Sequence, residues 1–330
     1  MKKSLVALAV LAATGAASAQ SNVSISGLVG FAYQSFDSIA PAKANRGLTT
    51  TDVLLNFGLS EDLGAGRKLE AGFVVEAGAG NFASAMTRTD TFLSVSANGY
   101  GTLRFDQTRT GNLLTKAMVA PSSLPEGMYD TSGIFETTKP VLPGRFAAEV
   151  LSYTTPDFGG FTGTAAYAEA VNDGSTVPGV TAGIFVLNYA KGPLAAGFAV
   201  KSFYINPAVV INPLRTTRTE AYATYDFGVA QVGVGFDGAQ VGSNVANATD
   251  DASAVAFGVA VPMGAITLGA NWAKRDVNTV SEFVAKYDLS KRTSMNFSIG
   301  KQSVDADPTV GAANVGTTGN QYRIAMFHSF

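Results

Sequence analysis

The chain has 330 residues, a formal net charge of −2 at pH 7, and charged side chains at only 15% of its positions. A charge this mild argues against nucleic acid as a partner, and the lack of cysteine leaves no disulfide framework and no thiol site. Mean hydropathy is +0.18, yet no apolar run of about 18 residues follows the N-terminal segment, so the sequence predicts no transmembrane helix. Hydrophobic residues are instead dispersed one by one, as in strands that cross a membrane.

Residues 1–19 have the pattern of a secretory signal peptide. Two lysines form a positive start, an apolar stretch follows over residues 5–13, and small residues end the segment at Ala19. The apolar stretch is far shorter than the roughly 20 residues that span a bilayer. We therefore expect cleavage after Ala19. This would leave residues 20–330 as an exported chain with a formal charge of −4, because the −2 of the full chain loses two lysines.

Residues 20–330 alternate between apolar and polar side chains with a period of two, the spacing of β-strands that have one apolar face. In chain order the pattern recurs in SNVSISGLVGFAY (21–33), TDVLLNFGLS (51–60), RKLEAGFVVEAG (67–78), VPMGAITLGANWAK (261–274) and TSMNFSIGKQ (293–302). Many segments run near ten residues, the length that a tilted strand needs to cross a bilayer. The last strand places on one face Tyr322, Ile324, Met326, His328 and Phe330.

The connections between these segments alternate between tight turns and long loops. Bacterial outer-membrane barrels have an even number of strands, short periplasmic turns and longer outer loops. We therefore predict an all-β fold, in which residues 20–330 form one domain, a transmembrane antiparallel β-barrel of about 16 strands. Both ends of the mature chain are expected on the side of the short turns.

Residues 109–146 form the longest predicted loop and are the main candidate for a functional segment. Loops this long in a compact fold are usually functional or disordered. The segment carries Glu126, Asp130 and Glu136 in a stretch with little positive charge. If the loop folds inward, these carboxylates narrow the pore and set its electric field; the alternative is a solvated outer loop.

Several motifs resemble those of the general diffusion porins of β-proteobacteria, including the neisserial type. They are LSEDLGAG, YTTPDFGGFTGTAAYA, YDLSKRTSM and the terminal FHSF. The resemblance implies a homotrimer in the outer membrane of a Gram-negative bacterium, with a third loop folded into each water-filled pore for small hydrophilic solutes and ions. It also implies that the barrel insertion machinery recognises Phe330, with His328 and Tyr322 in the same strand.

In that family an arginine ladder lines the pore, and this sequence departs from it. Expected arginines fall on Leu54, Asp106 and Ser152, and an expected lysine falls on Glu70. The predicted pore wall therefore has a diluted basic character, which indicates a weakly cation-selective or nearly unselective pore. The predicted inward-facing charged residues are Glu70, Glu76, Arg104, Asp106, Lys201, Glu220, Lys286 and Arg323.

Three classes of function compete: a diffusion channel, a structural or adhesive barrel with a blocked lumen, and an enzyme. The one histidine, His328, is on the outward face, so neither a Ser-His-Asp triad nor a histidine metal cluster can form inside the barrel. We expect no enzymatic activity and no cofactor. Small side chains at predicted inward positions favour an open lumen over a blocked one; these positions are Gly72, Ser94, Gly269 and Ser298.

Overall fold

The fold is known from a computed structural model that describes eleven ranges of the chain. These ranges are 21–36, 45–77, 86–109, 112–121, 147–170, 180–205, 214–238, 241–242, 253–275, 278–304 and 317–330. The predicted signal peptide and the loop carboxylates Glu126, Asp130 and Glu136 lie outside them. Within them, no helix has both the length and the hydropathy that crossing a membrane requires.

The strands form one antiparallel sheet in which every strand pairs with its neighbours along the chain. Strand β12 is a two-residue continuation of β11 along β10, so sixteen strands form the wall. The strands are β1 (Asn22–Phe36), β2 (Asn45–Gly64), β3 (Arg67–Ala77), β4 (Met86–Ala97), β5 (Gly101–Arg109), β6 (Ala147–Thr154), β7 (Phe161–Ala170), β8 (Val180–Lys191), β9 (Leu194–Ile205), β10 (Leu214–Asp226), β11 (Gln231–Asp237), β12 (Val241–Gly242), β13 (Ala254–Met263), β14 (Ile266–Arg275), β15 (Asn278–Asp288), β16 (Thr293–Val304) and β17 (Thr317–Ser329).

The two ends of the sheet meet, because β1 pairs with β2 on one side and with β17 on the other. This pairing closes the sheet into a barrel and confirms the predicted fold. Strand β5 ends at Arg109 and β6 begins at Ala147.

The wall has an apolar outer face and a mostly small or polar inner face. In β13, Val255 and Phe257 are 42% and 45% exposed, whereas Ala254 and Ala256 are 1% and 4% exposed. The same alternation continues in β16, where Met295, Phe297 and Ile299 are exposed and Asn296 and Ser298 are buried. Exposed aliphatic and aromatic side chains are stable on a barrel surface only when lipid surrounds them.

The terminal Phe330 closes the seam between β1 and β17. Its N–H donates to the carbonyl of Gly27 and its carbonyl accepts from the N–H of Gly27, both at 3.1 Å. Its ring covers Gly27 so closely that a Cβ added there would lie 2.3 Å from the Phe330 Cζ atom. Gly27 is therefore the position at which only a hydrogen atom leaves room for the terminal ring.

On the lipid-facing surface, the loss of stability caused by a charged side chain should depend on how deep in the bilayer that side chain lies. Phe283 is exposed at the centre of β15, and Tyr287 is exposed beside the following turn. We expect Phe283→Arg to destabilise the barrel by about 2–4 kcal/mol and Tyr287→Arg by about 0–1 kcal/mol, since arginine is disfavoured at the bilayer midplane and tolerated near the interface. Unfolding by guanidinium from lipid vesicles measures both, and equal losses would contradict this depth assignment.

The seam predicts that Gly27→Ala destabilises the barrel by about 1–3 kcal/mol, as overpacking does elsewhere. A Gly183→Ala variant is the matched control, because a Cβ at Gly183 meets no atom within 4 Å. Combining Gly27→Ala with Phe330→Ala should recover part of the loss, because the smaller terminal side chain removes the clash. The unfolding free energies of these three variants and of the single variant Phe330→Ala test this, and additive losses would show that the ring does not occupy the Gly27 surface.

Candidate functional site

The segment 112–121, which follows β5, lies inside the barrel. A short 3-10 helix spans Leu113–Ala117, and its first turn is capped by Asn112, whose side chain accepts from the Leu114 N–H at 2.7 Å. Leu114 and Ala117 are fully buried in a cluster with the inner-face residues Ala254, Ala256, Ala273 and Val280. Because the opposite face of the same strands carries the lipid-exposed side chains, this segment must occupy the lumen.

Glycines in the wall form a seat for the segment. A Cβ at Gly233 would lie 2.3 Å from the Ala117 carbonyl oxygen, and one at Gly258 would lie 2.5 Å from the same oxygen. At Gly269 the added atom would lie 2.6 Å from the Ala120 Cβ. The missing side chains let the loop backbone approach the strands directly, which is a recurrent use of glycine within strands.

This seat corrects one inference from the sequence. The small inward residues were expected to line an open lumen, but Ala120 covers Gly269 and the ring of Phe92 covers Gly72. Ser94 and Ser298 are also buried, at 4% and 0% exposure. Their small size makes room for packing on the inner wall rather than for a wider channel.

Two carboxylates attach the start of the segment to the wall. The Asp237 carboxylate accepts from Asn112 Nδ2 at 2.9 Å, and Glu220 Oε2 accepts from the Leu113 N–H at 2.8 Å. Lys201 Nζ donates to the other Glu220 oxygen at 2.6 Å. We call the side chains of six residues the loop latch: Asn112, Lys201, Arg218, Glu220, Asp237 and Arg275.

The Asp237 carboxylate is held between two guanidinium groups of the loop latch. Arg218 donates through Nε and Nη2, the second bond being 2.7 Å long, and Arg275 donates through Nη2. The three side chains are at most 3% exposed. Removing one partner from such a buried ion group typically costs about 3–5 kcal/mol, because a charge is left uncompensated.

Amide side chains attach the end of the segment. Asn271 Oδ1 accepts from the Ala120 N–H at 3.2 Å, and Asn271 Nδ2 donates to the Ala120 carbonyl at 3.5 Å. The Pro121 carbonyl accepts from Asn296 Nδ2 at 3.3 Å. The segment is thus fixed to the wall at both ends, and its conformation does not depend on one contact alone.

The inner face of β2–β5 is acidic. On these strands the structure describes inward-facing carboxylates at six positions and inward-facing cations at two. Arg104 binds Asp106 at 2.6 Å and stacks 3.9 Å from the centre of the Phe92 ring, and Lys68 binds Glu70 at 2.6 Å. The carboxylates are those of Asp52, Asp62, Glu70, Glu76, Asp90 and Asp106, and the cations are Lys68 and Arg104.

The remaining predicted wall residues also point into the lumen. Lys201 belongs to the loop latch, and Lys286 binds Asp288 at 2.8 Å beside the turn that follows β15. Arg323 lies between Gln34 and Ser298 in the register of the sheet and is 6% exposed. Of the inward charges predicted from the sequence, the structure brings Glu220 and Lys201 close to the loop segment, while Arg104 and Asp106 pair on their own strand.

The predicted assembly residues lie on the outer face at the seam. Tyr322 and Phe330 are 48% and 49% exposed. The His328 ring lies beside the turn that follows β15, with its Nδ1 atom 2.9 Å from the hydroxyl oxygen of Thr293. All three share the phase predicted from the sequence.

Most of the contacts that hold the loop were not predicted from the sequence. Arg218, Asp237 and Arg275 were not among the predicted site residues, and neither were Asn271 and Asn296. One signal was available for the seat: glycines recur in the inward phase of three consecutive strands, β11, β13 and β14, and such a pattern predicts close approach of another backbone. No comparable signal indicated which inward charges meet the loop.

Comparison with known proteins agrees with this geometry. The model of the Gram-negative porin family matches residues 5–307 of the chain. Outer membrane porin protein 32 of Delftia acidovorans is 31% identical over 254 residues, which cover 70% of this chain and 68% of that protein.

Solved structures share the fold at low sequence identity. The anion-selective porin from Comamonas acidovorans superposes with a TM-score of 0.69 at 18% identity, covering 94% of this chain and 100% of that one. The trimer form of OmpT, an outer membrane protein of Vibrio cholerae, gives 0.65 at 11% identity, with 94% and 99% covered. A closed barrel, a loop segment bound inside it and a family match over most of the sequence together lead to one conclusion: the chain belongs to the Gram-negative porin family and is a diffusion channel of the outer membrane.

Proposed function

We propose that this porin passes small hydrophilic solutes and ions passively, and that loop 109–146 sets the constriction. The observation that carries the proposal is the attachment of residues 112–121 to the inner wall at both ends. A segment held there narrows the lumen at a fixed place. The proposed constriction residues Glu126, Asp130 and Glu136 follow this segment in the same loop.

The charges of the wall support weak cation preference or near absence of selectivity. Carboxylates at a constriction favour cations, while arginine and lysine favour anions, and low-dielectric walls focus the field of a few charges. Here the guanidinium of Arg104 is matched by Asp106, and Lys68 by Glu70. The similar Comamonas acidovorans porin is described as anion-selective, and this chain would differ from it because Leu54, Asp106 and Ser152 stand where basic residues were expected.

The alternatives are a barrel with a blocked lumen and an enzyme. A single-channel recording across a planar bilayer separates them, because only an open channel gives stepwise current. Absence of steps from a folded, inserted barrel would favour the blocked barrel and would refute the diffusion channel. We propose that neither catalysis nor a cofactor is involved, since the family relationship accounts for the lumen as a passage.

Neutralising either member of the pair Arg104 and Asp106 should change ion selectivity, in opposite directions for the two residues. We expect Asp106→Asn to raise the permeability ratio of chloride to potassium about 1.5- to 3-fold and Arg104→Gln to lower it by a similar factor, from Coulomb interaction screened at 0.1 M salt. The zero-current potential in a salt gradient measures both. The effects should fade at 1 M salt, where the Debye length is about 3 Å, and shifts of the same sign would contradict the assignment.

We further propose a homotrimer in the outer-membrane lipid, for which the family relationship is the support. Cross-linking in native membranes tests it, and a product no larger than one barrel would oppose it.

The terminal strand is proposed to serve the barrel insertion machinery through Phe330, together with His328 and Tyr322. Phe330→Ala keeps the backbone bonds to Gly27 and removes only the ring. We expect it to lower the amount of folded barrel in the outer membrane several-fold more than it lowers the yield of refolding in detergent. Equal losses in the two assays would assign Phe330 a structural role alone.

A further inference from the structure

The loop segment carries a cation of its own, Lys116, in the last turn of the 3-10 helix. The buried face of that helix consists of Leu114 and Ala117, which pack on the barrel wall, whereas Lys116 is exposed. Because the segment lies inside the barrel, a side chain that is exposed on it faces the lumen. Lys116 therefore presents its ammonium group to the path of the solute.

The helix contacts the wall near the middle of the strands. The carbonyl oxygen of Ala117 lies against Gly258, which is at the centre of β13. Lys116 directly precedes Ala117 in the chain, so it lies at nearly the same depth, about half-way along this strand. A charge at that depth acts on every ion that crosses the pore, whichever end the ion enters.

An aromatic ring holds the ammonium group of Lys116. The Nζ atom lies 5.2 Å from the centre of the Tyr222 ring, within the range of a cation–π interaction. The ring in turn rests on Gly197 of β9, where an added Cβ would lie 2.4 Å from the Tyr222 Cε1 atom. A ring attracts a cation through its quadrupole and has no net charge. Tyr222 can thus position the ammonium group without cancelling its charge.

Other cations on the inner wall contact carboxylates instead. Their nitrogen–oxygen distances are 2.6–2.8 Å, and the pairs are Lys68–Glu70, Arg104–Asp106, Lys201–Glu220 and Lys286–Asp288. Within the ranges that the structure describes, the contact of the Lys116 ammonium group is the Tyr222 ring, and no carboxylate pairs with it. A cation paired with a carboxylate contributes little field at the distance of a passing ion, whereas a cation on a neutral ring contributes a screened unit charge.

We propose that Lys116 is a specificity-determining residue of the pore, which favours anions at mid-depth, and that Tyr222 is its positioning residue. The inference rests on the proposed diffusion function and adds one side chain to the charges that tune it. Lys116 opposes the acidic inner face of β2–β5, so the lumen has charges of both signs. Removing the Lys116 charge should therefore shift the pore toward cations.

The zero-current potential in a potassium chloride gradient tests the proposal on wild-type and variant barrels in a planar bilayer. We expect Lys116→Gln to lower the permeability ratio of chloride to potassium about two- to threefold at 0.1 M salt, from the Coulomb interaction of one screened charge. Lys116→Glu removes a second unit of charge and should lower the ratio by about the square of that factor. Lys116→Arg should keep the wild-type ratio, because both the charge and the contact with an aromatic ring remain possible.

A lysine on the other side of the same wall provides the matched control. Lys274 is exposed on the outer face of β14, in the phase of Trp272. Lys274→Gln removes the same charge as Lys116→Gln, but from the surface that faces away from the lumen. It should leave the permeability ratio unchanged.

The role of Tyr222 is tested by variants that leave the charge of Lys116 in place. Tyr222→Leu removes the ring, so the ammonium group loses its fixed position, and the ratio should move part of the way toward that of Lys116→Gln. Tyr222→Phe retains a ring and should keep the wild-type ratio. A wild-type ratio in Tyr222→Leu would overturn the positioning role.

Two outcomes would overturn the role of Lys116 itself: an unchanged ratio in Lys116→Gln, or an equal shift in Lys274→Gln. Both are read from channels that conduct, so they leave the diffusion function intact. A folded, inserted wild-type barrel without current would instead refute the diffusion function.

Discussion

The satisfaction of backbone hydrogen bonds in lipid is the constraint on which the rest of this structure depends. Hydrocarbon offers no partner for an N–H or C=O group, so a sheet that crosses a membrane must have no open edge there. The pairing of β1 with β17 meets this requirement, and the terminal Phe330 completes it through its two backbone bonds to Gly27. Alternating side chains then follow, because each strand has lipid on one side and the lumen on the other.

Because the barrel is closed by backbone pairing and its apolar side chains face lipid, its inner face does not have to form an apolar core. Charged side chains can accumulate there, provided that each finds a partner where it is buried. The loop segment contacts this inner face in two ways. Its backbone packs directly on glycines of the wall, and carboxylate and amide side chains form hydrogen bonds with its two ends. The position of the loop segment is consequently set in part by charged side chains, Asp237 and Glu220 among them.

The sequence carried enough information for the barrel, because period-two alternation is local and repeats in every strand. The phase of Tyr322 and Phe330 and the inward placement of Arg104 and Lys201 could be predicted from such patterns. The loop contacts could not. Asn112 meets Asp237 across 125 residues, and Ala120 meets Asn271 across 151. Alternation shows which face a residue occupies, but it does not show which lumenal residue a loop will reach.

The glycine seat gives the evolution of this pore a preferred direction. Every substitution at Gly233 or Gly258 adds volume, and the nearest atoms belong to the backbone of the loop rather than to flexible side chains. The added volume can be accommodated only by moving the loop away from the wall, toward the path of the solute. A lineage exposed to a toxic solute can therefore reduce uptake by single changes at these glycines, without altering the charges of the lumen or the lipid-facing surface.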